Sequence, residues 1–277
     1  MQSSKPLQLI RHFALDLDGT IYLGNRVFPE TLPFLAALSE LGIGYSFLTN
    51  NSSRSTDHYL RFLRELGVEA EEAAVFTSTD ATVAHLQEEM PQSKRLFVLG
   101  TLEMRDEVSQ QGFVLTEDDP DDEPDAVVVA FDSALTYQRL CRAAYWIGQG
   151  KPYIATHPDR VCPSDDKNLL IDCGSICAAL HCATGRQPDV VAGKPERRML
   201  TGLMHRLGLE PSQVAMVGDR LYTDMAMARA ADALGVLVLT GETTRDDLAN
   251  TDHQPDLVVE DLGELEQLAR SCGPRRG

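Results

Sequence analysis

Short apolar runs alternate along this chain with longer segments whose apolar residues recur every three or four positions. "LIRHFALDL" (9–17) reads as a strand, and "TLPFLAALSELG" (31–42) as a helix closed by Gly42. "IGYSFLTN" (43–50) is a strand again, followed by a helix over "STDHYLRFLRELG" (55–67), capped by Ser55 or Thr56 and ended by Gly67. The pattern continues through "AVFTS", "DATVAHLQEEM", "RLFVLG", "LEMRDEVSQQG", "AVVVAF", "TYQRLCRAAYWIGQG" and "PYIAT". It resumes with "DVVAGK", "ERRMLTGLMHRLG", "QVAMVGD", "YTDMAMARAADALG", "VLVLTG", "DLVVEDL" and "GELEQLARS". Such alternation predicts an α/β fold with parallel sheets and right-handed crossovers.

One junction breaks the pattern. The first strand runs straight into Asp16, Leu17, Asp18 and Gly19. In extended chain, residues two apart share a face, so the two carboxylates point the same way and repel. They require a metal, a shared proton or a basic partner. Three later apolar runs also end on polar residues: Thr49/Asn50, Lys194 and Asp219/Asp224. Each alone passes for a turn, a helix cap or a surface lysine. Together they converge where an open α/β sheet places its site, at the carboxyl edge.

Composition narrows the chemistry. At 277 residues and a formal net charge of −17, the chain suits one large domain or two unequal ones, and disfavours nucleic acid and anionic membranes as partners. No apolar stretch approaches the roughly 20 residues of a spanning helix, and the N-terminal residues do not read as a signal peptide. The six cysteines contain no CxxC pair and read as reduced thiols of a cytoplasmic protein. Cys173, Cys177 and His181 follow one helix over two turns, too long a span to surround one zinc ion, so packed thiols are expected. The acidic run "TEDDPDDEPD" (116–125) reads as a solvated loop.

The constellation fits phosphoryl transfer, whose demands are positioning and positive charge. Asp16 and Asp219 could hold a hard cation such as Mg²⁺. Lys194, Thr49 and backbone N–H groups of the 49–51 loop could hold phosphate oxygens. One aspartate attacks phosphorus, while Asp18 protonates the leaving alcohol and later takes a proton from water.

"DLDGT", "LTNN", "GKP" and "GDRLYTD", in this order, resemble the four motifs of the haloacid dehalogenase (HAD) superfamily. "DLDGTIYLGNRVFPET", "FLTNNSSRS", "FTSTDATVAHL", "ATHPDRVCP", "AGKPE" and "VLTG" resemble its NagD-type phosphatases (subclass IIA), nearly end to end. The resemblance implies a Rossmann-like core, residues 1–82 and 186–277, with a mobile α/β cap of C2 type inserted at 83–185. It implies Asp16 as nucleophile, Asp18 as acid/base, and Thr49, Asn50 and Lys194 as phosphate binders. Asp16, the Asp18 carbonyl and Asp219 become Mg²⁺ ligands, with Asp224 behind them. A small phosphate ester is the expected substrate, and a homodimer is compatible with such caps. A phosphotransferase or mutase, or a non-catalytic receiver-like module phosphorylated on aspartate, are the alternatives. The segment "NLLIDCGSICAAL" (168–180) departs from the family. Asp172, Ser175 and the helix N-terminus there are expected to read the substrate's leaving group.

Overall fold

The computed structural model describes residues 6–68, 74–162 and 169–272. It divides into two units: Met1–Thr49, Leu60–Phe76 and Lys194–Gly277 form the first, Asn50–Tyr59 and Thr77–Gly193 the second.

In the first unit a six-stranded sheet has the order Leu257–Val259, Leu234–Val238, Val214–Gly218, His12–Asp16, Gly44–Thr49, Val75–Thr77. The first five run parallel. His12–Asp16 is buried along its whole length, as a central strand covered on both faces must be. Phe13 meets Phe34 of the helix Thr31–Leu41 edge to face at 5.6 Å. Gly42 ends that helix in the left-handed conformation, φ 68°, which a residue without Cβ adopts freely. Leu9, expected to open the first strand, ends the 3₁₀ turn Leu7–Leu9 instead. Because the strands are parallel, Asp16, Thr49 and Asp219 all leave the sheet at one edge.

The second unit carries a five-stranded parallel sheet, ordered Val190–Val191, Tyr153–Ala155, Ala126–Val129, Arg95–Leu99, Val114–Leu115. Helices Tyr137–Gly148 and Cys173–Thr184 supply one core, with Trp146, Ile147, Ile176 and Leu180 packed on Phe97, Val127 and Tyr153. Helices Ser78–Glu89 and Leu102–Gln110 supply the other, with Val83, Leu86, Met104 and Val108 on Leu96, Val98 and Val128. This unit reaches beyond 83–185 at both ends. The helix from Ser78 buries its apolar face in this core, and Val190–Val191 extends this sheet. Thr77 and Asp80 close a capping box at that helix, each accepting from the other's backbone N–H.

Cys173 and Cys177 are buried in this core with their sulfurs 3.9 Å apart, while His181 faces solvent. The acidic run 116–125 is tied down by ion pairs: Asp118 with Arg142, Asp122 with Arg95, Glu123 with Lys151. The two-residue pairing of Val161–Cys162 with Leu170–Ile171 went unread in the sequence, its strands being too short to show a period. Among the described residues no helix is long and apolar enough to cross a membrane.

The segment 171–180 corrects an expectation. Asp172 caps the helix Cys173–Thr184 through the Cys173 N–H (2.6 Å), and the Gly174 N–H is taken by the Asp159 carbonyl (2.7 Å). The Ser175 and Ile176 N–H groups donate to the Asp172 carbonyl, and the Ser175 hydroxyl to the Arg160 carbonyl. A helix start whose donors are all engaged has none left for a substrate. Asp172 also accepts from buried His157 Nε2 at 2.8 Å. Burial alone would lower the His157 pKa, but Cys173, Asp172 and Asp159 outweigh it and hold the imidazole at about 9.

Asp172→Ala therefore removes a helix cap and strands a buried imidazolium, an expected loss of about 3–5 kcal/mol in denaturant unfolding. The His157 pKa is raised above its unfolded value of 6.5, so the pair stabilises fully below pH 6.5 and loses that contribution as pH rises through about 9. The gap between wild type and Asp172→Ala should narrow across that window.

Candidate active site

At the carboxyl edge of the first unit's sheet, one carboxylate oxygen from each of Asp16, Asp219 and Asp224 lies within 4.8 Å of the others, all three residues buried. Asp16 is the last residue of its strand, and Asp219 follows the strand Val214–Gly218 directly. Asp224 sits in the π-helical turn Leu221–Met225, which carries it back over that strand end. Its approach is so close that a Cβ at Gly218 would strike the Asp224 carboxyl group. Asp224, expected behind the metal ligands, lies in this group, with Oδ1 accepting from Lys194 and Oδ2 from the Arg220 N–H at 3.1 Å.

Lys194 stands among these carboxylates. Its ammonium donates to Asp16 Oδ1, to Asp224 Oδ1 at 2.7 Å and to the Leu48 carbonyl at 3.4 Å. Burial would lower its pKa, but Asp16 and Asp224 outweigh that and raise it, so the lysine stays charged. Burial raises Asp16 well above the ordinary carboxylate range; Lys194 opposes this, and Asp224 and Asp219 add to it. Asp219 is pushed up to about 6, first by burial and then by the charge of Asp224. Its Oδ2 accepts from the Glu242 N–H at 2.6 Å, whereas its Oδ1 is buried without a hydrogen-bond partner.

That orphaned oxygen, and the charge count, test for a cation. Three carboxylates against one ammonium leave two negative charges uncompensated, the charge of one divalent ion. The donor set is all oxygen, as Mg²⁺ prefers. The residues fit the group.

The remaining candidates fall as follows. Asp18 is half-buried and bridges to Tyr22, and the turn between them is closed by the Gly19 N–H on the Tyr22 carbonyl at 2.8 Å. Gly19 is left-handed, φ 86°, and a Cβ on it would stand 2.7 Å from the Asp219 Cγ. Thr49 is buried at the end of the strand Gly44–Thr49. Asn50, the next residue, belongs to the second unit, where its Nδ2 donates to both oxygens of Asp159 (3.4 and 3.3 Å) and its carbonyl accepts from the Ser78 hydroxyl at 2.5 Å. Asp159 and Ser78, the partners of Asn50, and the loop Thr240–Thr243 beside Asp219 were not singled out in the sequence. "ATHPDRVCP", "FTSTDATVAHL" and "VLTG" carried them only as motif text.

The chain matches the family model of haloacid dehalogenase-like hydrolases over residues 13–114 and the HAD-hydrolase-like model over 191–265. A curated relative, an acid sugar phosphatase of Staphylococcus aureus, is 31% identical over 252 residues, covering 91% of this chain and 95% of its own. Among solved structures, a 4-nitrophenylphosphatase from Thermotoga maritima superposes with a TM-score of 0.88 at 42% identity, over 94% of this chain and 98% of that one. A glycerol phosphate phosphatase from Mycobacterium tuberculosis, solved in complex with magnesium, gives 0.85 at 32% identity, over 96% of this chain and 79% of that one.

Lys194→Met should destabilise the protein by about 3–5 kcal/mol, because Asp16 and Asp224 lose their buried counter-charge; chemical denaturation measures it. The raised Asp219 pKa sets a pH dependence. A carboxyl whose folded pKa exceeds its ordinary 3.8 stabilises the fold below that value and loses the contribution as pH rises through about 6. Metal-free protein should lose melting temperature from this group between pH 4 and about 6. Mg²⁺ binding, which needs the carboxylate ionised, should weaken by about tenfold per unit below pH 6 in calorimetric titration.

Proposed function

Because the chain belongs to the haloacid dehalogenase-like hydrolase family and is one of its NagD-type phosphatases, we propose that it hydrolyses phosphate monoesters of small metabolites with Mg²⁺, through an aspartyl-phosphate on Asp16. The observation that carries this reading is the buried meeting of Asp16, Asp219, Asp224 and Lys194, with one Asp219 oxygen left unsatisfied. Asp16 and Asp219 are the residues to hold the cation, with Asp224 beside them. When bound, the ion neutralises carboxylates and phosphate oxygens so that an anionic nucleophile and an anionic substrate can meet.

Asp16 Oδ attacks phosphorus, and the bond from phosphorus to the ester oxygen breaks. Asp18 gives its proton to that leaving oxygen, which departs as an alcohol. Water then attacks the phosphorus of the aspartyl-phosphate, Asp18 takes its proton, and inorganic phosphate leaves with Asp16 restored. Lys194 holds negative charge on Asp16 and on the transferring group, and Thr49 supplies a further donor for the phosphate. Sugar phosphates and glycerol phosphate are the first substrates to assay, because the relatives bear those names.

Phosphate release should vanish in excess EDTA and return with Mg²⁺; full turnover after verified metal removal would sink the magnesium reading. Asp16→Asn should reduce turnover to background while the protein stays folded. Asp18→Asn should keep a burst of phenol release from an activated aryl phosphate while steady turnover falls by at least about 100-fold.

A further inference from the structure

The loop after the strand Leu234–Val238 closes on Asp219. The Glu242 N–H donates to Asp219 Oδ2 at 2.6 Å, the Thr243 N–H to the Asp219 carbonyl at 3.2 Å, and the Thr240 hydroxyl to the Gly19 carbonyl at 2.6 Å. A Cβ on Gly241 would stand 2.7 Å from the Asp219 Cβ and closer still to Oδ2. Gly241 is not left-handed, so the site demands glycine there for space and not for conformation. A Cβ on Gly19 would also crowd Asp219, standing 2.5 Å from Oδ2 and 3.2 Å from Oδ1. The Asp219 carboxylate therefore lies in a narrow slot lined by the backbone of Gly19 and Gly241. The 241–242 peptide is itself pinned, because the Glu242 Oε2 pairs with Arg220 Nε at 2.9 Å and accepts from the Tyr222 hydroxyl at 3.4 Å.

The slot leaves the two carboxylate oxygens unequal. Oδ2 is spent on a backbone donor, and Oδ1 is buried with none. A carboxylate so held presents Oδ1 as its unengaged oxygen and keeps Oδ2 turned to the Glu242 N–H. Mg²⁺ is small, octahedral and content with one oxygen per carboxylate, whereas Ca²⁺ takes six to eight oxygens and readily accepts both from one carboxylate. We propose that the loop Thr240–Thr243 is a positioning element that confines Asp219 to one-oxygen ligation and so selects Mg²⁺ over Ca²⁺. This rests on the magnesium reading and adds to it the residues that set ion preference.

Calorimetric titration of the full-length protein with Mg²⁺ and with Ca²⁺ tests the proposal without turnover. Gly241→Ala, which pushes the loop away from Asp219, should raise the Mg²⁺ Kd at least about tenfold and the Ca²⁺ Kd by less than about threefold. Thr240→Val keeps the side-chain shape but removes the bond to Gly19, and should weaken Mg²⁺ about fivefold with the same loss of preference. Gly202→Ala, in the helix Arg198–Leu207 where an added Cβ meets nothing within 4 Å, should bind both ions as wild type does. A folded Gly241→Ala with Mg²⁺ Kd within about twofold of native, or with both ions weakened equally, overturns the proposal. If Gly241→Ala does not fold, Thr240→Val decides by the same criterion of unequal loss. Asp219→Asn separates the two readings: native Mg²⁺ affinity in that variant removes the cation site altogether, whereas its loss beside an unaltered loop variant removes only the role of the loop.

Discussion

Lys194 carries the charge on which the corner of Asp16, Asp219 and Asp224 depends, because burying three carboxylates together is otherwise prohibitive. Its ammonium reaches two of them and the end of a neighbouring strand through the Leu48 carbonyl. A buried ion pair of this kind is a poor device for stability, since desolvation consumes much of the attraction. It serves instead to oppose the burial that raises the Asp16 carboxyl well above its ordinary range. The same burial that raises Asp16 and Asp219 also makes the corner receptive to a divalent ion. An ion added there relieves repulsion that the fold already bears.

That corner exists because of sheet order. His12–Asp16 lies between Val214–Gly218 and Gly44–Thr49, so strands far apart in sequence release their last residues side by side. Close packing then does what side-chain partners do elsewhere. Gly19 and Gly241 give the Asp219 carboxylate no room to turn, and Gly218 lets Asp224 descend onto the strand end. Glycines here work by the atoms they lack.

Much of this was legible in the sequence, and the reason is local. Asp16, Thr49 and Asp219 each follow an apolar run of one sheet, and a run that ends on a polar residue marks a strand's carboxyl edge. The run before Lys194 pairs into the other sheet. Gly42 and Gly67 announced their helix ends, and both are left-handed. What stayed hidden depends on contacts between distant segments. Nothing in "VLTGE" says that its peptide will lie against Asp219, 23 residues earlier. Nothing in "ATHPD" says that Asp159 will hold Asn50, 109 residues away. Nothing in "GDRLYTD" says that a π-helical turn will bring Asp224 onto the end of its own strand.

The segment 171–180 shows how an unusual sequence can point to structure instead of recognition. Its departure from the family pattern suggested a substrate reader, since helix starts offer N–H groups to anions. Yet Asp172 is spent twice, on the Cys173 N–H and on His157, and Ser175 is spent on Arg160. A Cβ at Gly174 would collide with the Pro158 carbonyl, so the helix start is pressed onto the turn that also carries Asp159. Asp159 in turn holds Asn50, the residue next to Thr49 in the second motif. A substitution in 171–180 therefore reaches Asn50 through packing, by way of the 158–159 turn.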